Sequence, residues 1–166
     1  MNSRKLVVGL VLCLFFVSSA GGAGLAFKQI PLRSDVLAVG NDAGVVNYYT
    51  SAFELPNLAT NTPAILMLMT QNVDDAYSFI TINIPPNDIR IINNAHYNDA
   101  RTSRYFAGKL LETGDAWATQ IVPIQAGLLR TTGNTLGIHT RTDSGGAGGN
   151  TDDIKVTRIY LLYYTT

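Results

Sequence analysis

The alternation of apolar and polar residues between Trp117 and Tyr164 constrains the fold of this chain more than any other feature. The run W-A-T-Q-I-V-P-I-Q-A-G-L-L-R-T-T-G-N-T-L-G-I-H-T-R precedes a glycine-rich break and then D-D-I-K-V-T-R-I-Y-L-L-Y-Y. A period of two marks strands with one buried face, and a Gly-Asn pair supplies the positive φ that a tight turn needs. Leu136, Ile138 and Thr140 fall on one face, and Gly137, His139 and Arg141 on the other. The closing segment breaks its own period. Ile154 and Val156 share one phase, whereas Ile159, Leu161 and Tyr163 share the opposite one. No strand of strict period two sends both sets into one core, so the pattern predicts a β-bulge near Thr157-Arg158 that resets the phase.

The rest of the chain follows the same grammar. Leu25 to Ile30 predicts a strand stopped by Pro31, and Val36 to Val39 a short strand ended by the turn cluster at 40–44. Val45 to Glu54 is rich in β-branched and aromatic residues and reads as a strand. Ala64 to Met69 is apolar at every position, which predicts a central strand buried on both faces. Within Ala76 to Ile84, Ile80, Ile82 and Ile84 alternate with Phe79, Thr81 and Asn83. Residues 93–104 are polar without periodicity and read as a long exposed loop, and Tyr105 to Leu111 as a short strand or one helical turn. Trp117 to Ile124 predicts a strand carrying Ile121, Val122 and Ile124, followed by a bend that tucks in Leu128 and Leu129. No segment has the period of an amphipathic helix of three or more turns, and no internal repeat is present. The fold expected is all-β: an antiparallel β-sandwich, a jelly roll of about eight or nine strands.

The N-terminus stands apart from this pattern. Arg4 and Lys5 precede an apolar run from Leu6 to Val17, and Ser18-Ser19-Ala20 offers a small-residue cleavage site. The run is too short for a comfortable bilayer span, which takes about 20 residues. Residues 1–23 therefore read as a secretory signal peptide and 24–166 as one domain, secreted and with no membrane segment after cleavage. The only cysteine, Cys13, lies inside the apolar run, so the mature domain has neither disulfide nor thiol nucleophile. Charged residues make up 14% of the chain, well below the average of about 25%. Without the leader, ten basic residues face twelve acidic ones, and no basic stripe is available to neutralise phosphates, which argues against nucleic acid.

Three stretches carry a resemblance. The run from Trp117 to Arg141, with its apolar bend and its Gly133-Asn134-Thr135-Leu136 strand opening, and the closing Asp152 to Tyr163 resemble the C-terminal half of galactose-binding-like jelly rolls. Ile80-Thr81-Ile82-Asn83 resembles the strand of those domains that ends in Asn-Gly, except that Ile84-Pro85-Pro86 stands where the glycine would be. The resemblance covers about half of the mature chain. It implies the sandwich fold of many carbohydrate-binding modules and says little about the ligand.

Two residue groups are candidates for binding. Tyr97, Trp117, His139 and Arg141 combine aromatic faces with polar forks, the chemistry of a sugar site. The alternative puts Trp117 in the core and leaves His139 and Arg141 as solvated outer-face residues. Asp143, Asn150, Asp152 and Asp153, among glycines, form a donor set suited to Ca²⁺. The alternative, which turn chemistry favours, is a hairpin loop whose Asp153 caps the closing strand. Catalysis is not expected. The only glutamates are Glu54 and Glu112, there is no G-x-S-x-G elbow, and His96 and His139 are too few for a typical zinc site without carboxylate help. The expected function is a secreted, non-catalytic module that binds carbohydrate or another extracellular ligand, including a surface protein. The alternative is a self-assembling surface or fibre protein whose apolar last strand pairs edge to edge with another copy.

Overall fold

A computed structural model describes residues 23–40, 43–44, 47–73, 78–84, 104–140 and 153–166. Among them lie nine strands and no helix. One sheet contains β1 (Gly24–Ile30), β2 (Leu37–Val39), β4 (Ala64–Gln71), β7 (Ala118–Ile124) and β9 (Ile154–Thr165). The other contains β3 (Asn47–Tyr49), β5 (Phe79–Ile82), β6 (Phe106–Lys109) and β8 (Leu136–His139). All pairings are antiparallel, in the orders β1-β9-β4-β7, with β2 also on β9, and β3-β8-β5-β6. The two sheets close over a single core. Leu66, Leu68, Val122 and Ile124 from the first meet Tyr48, Ile80, Ile82 and Ile138 from the second. Each such side chain contributes about 1.5–3 kcal/mol by leaving water. The chain is an all-β antiparallel sandwich.

The long last strand lies in the middle of its sheet, with β1 and β2 end to end along one side and β4 along the other. Its phase change is where the sequence placed it. Met67 pairs with Tyr160 and Met69 with Thr157, so a two-residue step on β4 faces a three-residue step on β9. Arg158 carries a φ of 51°, the left-handed turn that absorbs the extra residue. As a result Ile154, Val156, Ile159, Leu161 and Tyr163 are all buried.

Several expectations are corrected. β4 is central, but it alternates: Leu66 and Leu68 face the core while Ile65 is exposed, because only one face of this sheet meets the other. On β7, Val122 and Ile124 are core, Gln120 takes the third inward position, and Ile121 is 63% exposed. Among its described residues, the stretch 45–54 contributes Asn47–Tyr49 and an isolated bridge from Phe53 to Asn134. Tyr105 to Leu111 resolves into the strand β6. The bend after β7 buries Leu129 and half-buries Leu128, as expected, and Gly133 has the positive φ, 68°, expected of the turn that leads into β8. The leader and the loop at 93–103 lie outside the described residues.

Candidate functional site

The bulge builds a cleft. β1 ends where Ile30 pairs with Ile159, and β2 begins where Leu37 pairs with Val156. The chain between them, 31–36, therefore loops out beside the bulge instead of pairing with it. Pro31 starts this loop because it has no N–H to donate to the ladder. Thr157 Oγ1 donates to the Asp35 carbonyl at 2.6 Å and ties the loop to the bulge, and Ser34 Oγ donates to the Val36 carbonyl at 2.7 Å. The result is an open cleft of about 890 Å³. The loop forms one flank, Thr157, Arg158 and Tyr160 of β9 run along the middle, and Met69 and Trp117 form the other flank.

Its side chains are chemically mixed. Trp117 is 39% exposed at the entry to β7, so it is not a core residue. The Tyr160 ring stacks on Phe27 with centroids 4.9 Å apart, which leaves it half-buried and held in place. The Arg33 guanidinium lies 5.4 Å from the Tyr48 ring centroid, and the Arg33 backbone N–H donates to the Tyr48 hydroxyl at 3.3 Å. Arg158 is exposed and is aimed by its left-handed backbone. Neither guanidinium forms an ion pair among the described residues.

The sequence candidates are distributed differently from expectation. Trp117 lines the cleft. His139 does not, and its reading as a residue of a solvent-facing ligand surface is corrected: it is 1% exposed and sits in the opposite sheet. There its ring stacks on Phe79 at 4.7 Å, and Tyr49 meets it edge-on at 5.6 Å. Nδ1 donates to Asn47 Oδ1 and Nε2 accepts from the Thr81 hydroxyl, each at 2.8 Å. Burial lowers its pKa to about 3, so the imidazole is neutral. Gly137 makes room for this cluster, since a Cβ there would collide with Thr81 Oγ1 and lie 2.6 Å from His139 Nε2. Tyr97, Arg141, Asp143, Asn150 and Asp152 lie outside the described residues. Asp153 is half-buried directly before β9. No three His, Cys, Asp or Glu side chains gather as metal ligands among the described residues.

Arg33, Arg158 and Tyr160 were missed as site residues in the sequence. The signal for Arg158 was present, because the phase change located the bulge, and bulges re-aim side chains. Nothing local marks Arg33 or Tyr160, whose roles depend on which strand flanks β9.

A second surface feature adjoins the cleft. The outward positions of the five-stranded sheet are apolar in register: Phe27, Leu162, Ile65 and Pro123 form one row, and Tyr160, Met67 and Ile121 the next. Phe27, Ile65, Ile121, Leu25 and Tyr164 are exposed. Compared with protein-family models and with curated proteins, the chain matches none.

Proposed function

We propose that this protein is an exported, non-catalytic binding module of galactose-binding-like type, and that its ligand is an extracellular carbohydrate held in the cleft at the β9 bulge. The observation that carries this reading is Trp117, an exposed aromatic on an open cleft that also presents Tyr160, Arg33 and Arg158. Aromatic faces take the apolar side of a pyranose, and guanidinium forks take its oxygens. Export is supported by the leader-like residues 1–23. The sandwich supports the resemblance, as do Asn83 and Asn134, the residues of the two resembling motifs, which bond to each other side chain to side chain. The non-catalytic reading is supported by His139, whose ring nitrogens are both engaged and shut away from solvent. The test is a glycan array followed by calorimetry. Binding of at least one oligosaccharide is expected, weakened tenfold or more by Trp117→Ala. No binding to any glycan would sink the proposal.

The self-assembly reading changes form. β9 is central, so its edges are not free to pair with another copy. The apolar face of the five-stranded sheet favours a different contact, with the same face of a second copy. Four strands about 4.8 Å apart and seven or eight residues long at about 3.3 Å each give roughly 450–500 Å² per face. Stable dimers bury about 800 Å² per partner, so a weak, concentration-dependent dimer is expected. Sedimentation at rising concentration should show it, and Ile121→Glu should abolish it. A strict monomer at millimolar concentration would exclude it.

A further inference from the structure

We infer that the cleft selects acidic saccharides, those carrying a carboxylate or sulfate group, over their neutral counterparts. This rests on the carbohydrate reading of the same cleft and adds a charge requirement to it.

Two arginines, Arg33 and Arg158, and one aspartate, Asp35, line the cleft. None of the three side chains is neutralised by an ion pair among the described residues. Two arginines beside one aspartate give the lining of the cleft a formal excess of one positive charge in a chain whose formal net charge is zero. The local charge thus belongs to the cleft and not to the molecule as a whole.

Both cations are positioned by structure. Arg33 is anchored at its backbone N–H and at its guanidinium by the one buried ring of Tyr48. Arg158 is aimed by a left-handed backbone conformation, with a φ of 51°, that disfavours every residue with a Cβ. A glycine would satisfy the bulge without that strain, so the turn alone does not call for an arginine. A planar guanidinium pairs with a carboxylate or sulfate through two parallel hydrogen bonds, which a neutral hydroxyl does not match. Trp117 and Tyr160 supply the aromatic surface for the sugar ring that carries the acid.

The test is calorimetry on the folded chain with three probes: a neutral galacto-oligosaccharide, an oligogalacturonate of the same length, and inorganic sulfate. The acidic oligosaccharide should bind at least tenfold tighter than the neutral one, and sulfate alone should be far weaker than either. Raising salt from 50 to 500 mM should weaken only the acidic ligand. Arg158→Gly, which keeps the bulge backbone, should weaken both ligands, and the loss against the acidic ligand should be at least tenfold larger than the loss against the neutral one. Arg158→Lys should restore part of the loss, and thermal melting verifies that both variants fold. Equal binding of neutral and acidic probes would overturn the charge requirement while leaving the carbohydrate reading intact. Sulfate binding as tightly as oligogalacturonate would overturn both the saccharide specificity and the carbohydrate reading. Silence from all three probes would also overturn both.

Discussion

His139 carries its proton on Nδ1, facing Asn47, and is closed to solvent on all sides. Protonating it would bury a charge with no anion among the partners seen here. The imidazole titrates near 6.5 in an unfolded chain and near 3 in the fold. Between those values the unfolded chain binds more protons. Stability is therefore complete above pH 6.5 and falls as pH drops, by up to about 1.4 kcal/mol per unit. Urea melts at pH 7.5 and pH 5 should show a loss of about 2 kcal/mol that His139→Gln lacks. Asn134 is a second residue whose value is polar and internal. It is wholly buried, its Oδ1 accepts from the Arg130 N–H at 2.8 Å and from Asn83 Nδ2 at 3.2 Å, and its Nδ2 donates to the Arg130 carbonyl at 2.6 Å. Asn134→Ala strands several of these groups and should cost about 3 kcal/mol or more in a denaturant melt. The Gly-Asn pair was legible as a turn, but the network was not. Asn83 lies 51 residues away, and its left-handed φ of 59° makes it the turning residue itself, so the turn needs no glycine at Ile84.

At the scale of elements, the bulge in β9 sets the burial of one strand and the position of a loop. Deleting Arg158 would restore strict alternation and turn either Ile154 and Val156 or Ile159, Leu161 and Tyr163 out of the core. Loss of the cooperative thermal transition is the expected result. Arg158→Gly should instead raise stability by about 0.5–1 kcal/mol, because the left-handed strain it removes exceeds the extra chain entropy that a glycine loses on folding. Gain in stability with loss of acidic-ligand affinity would mark Arg158 as a residue kept against the preference of its own backbone. Gln120 shows what periodicity cannot reveal. It holds an inward β7 position, yet its amide pairs with both the N–H and the carbonyl of Leu111 at 3.0 and 2.8 Å and donates to Thr70 Oγ1 at 2.9 Å. It behaves as a stitch between strands and not as a core hydrophobe.

At the scale of the molecule, the cleft and the apolar face share the outer surface of the five-stranded sheet, with Tyr160 in both. Ligand binding and self-association are therefore expected to compete. Saturating oligosaccharide should shift sedimentation toward monomer and leave the Ile121→Glu variant unchanged. Unaltered sedimentation would show the two surfaces to be independent.

The sequence by itself determined the fold class, most strand positions, the bulge and the bend that follows β7. Each of these is written in local periodicity, in proline and glycine, and in a phase conflict that only an extra residue resolves. Tertiary structure decided which side of each strand is covered. Alternation says that two faces differ, but not whether the outer one meets water or protein. That is why His139 is sealed beneath Phe79 and Tyr49 while Ile121 and Trp117 face solvent. It also decided the cleft, because Arg33, Arg158 and Trp117 converge only once β9 is placed between β1 and β4, a choice made by pairing between segments far apart in the chain.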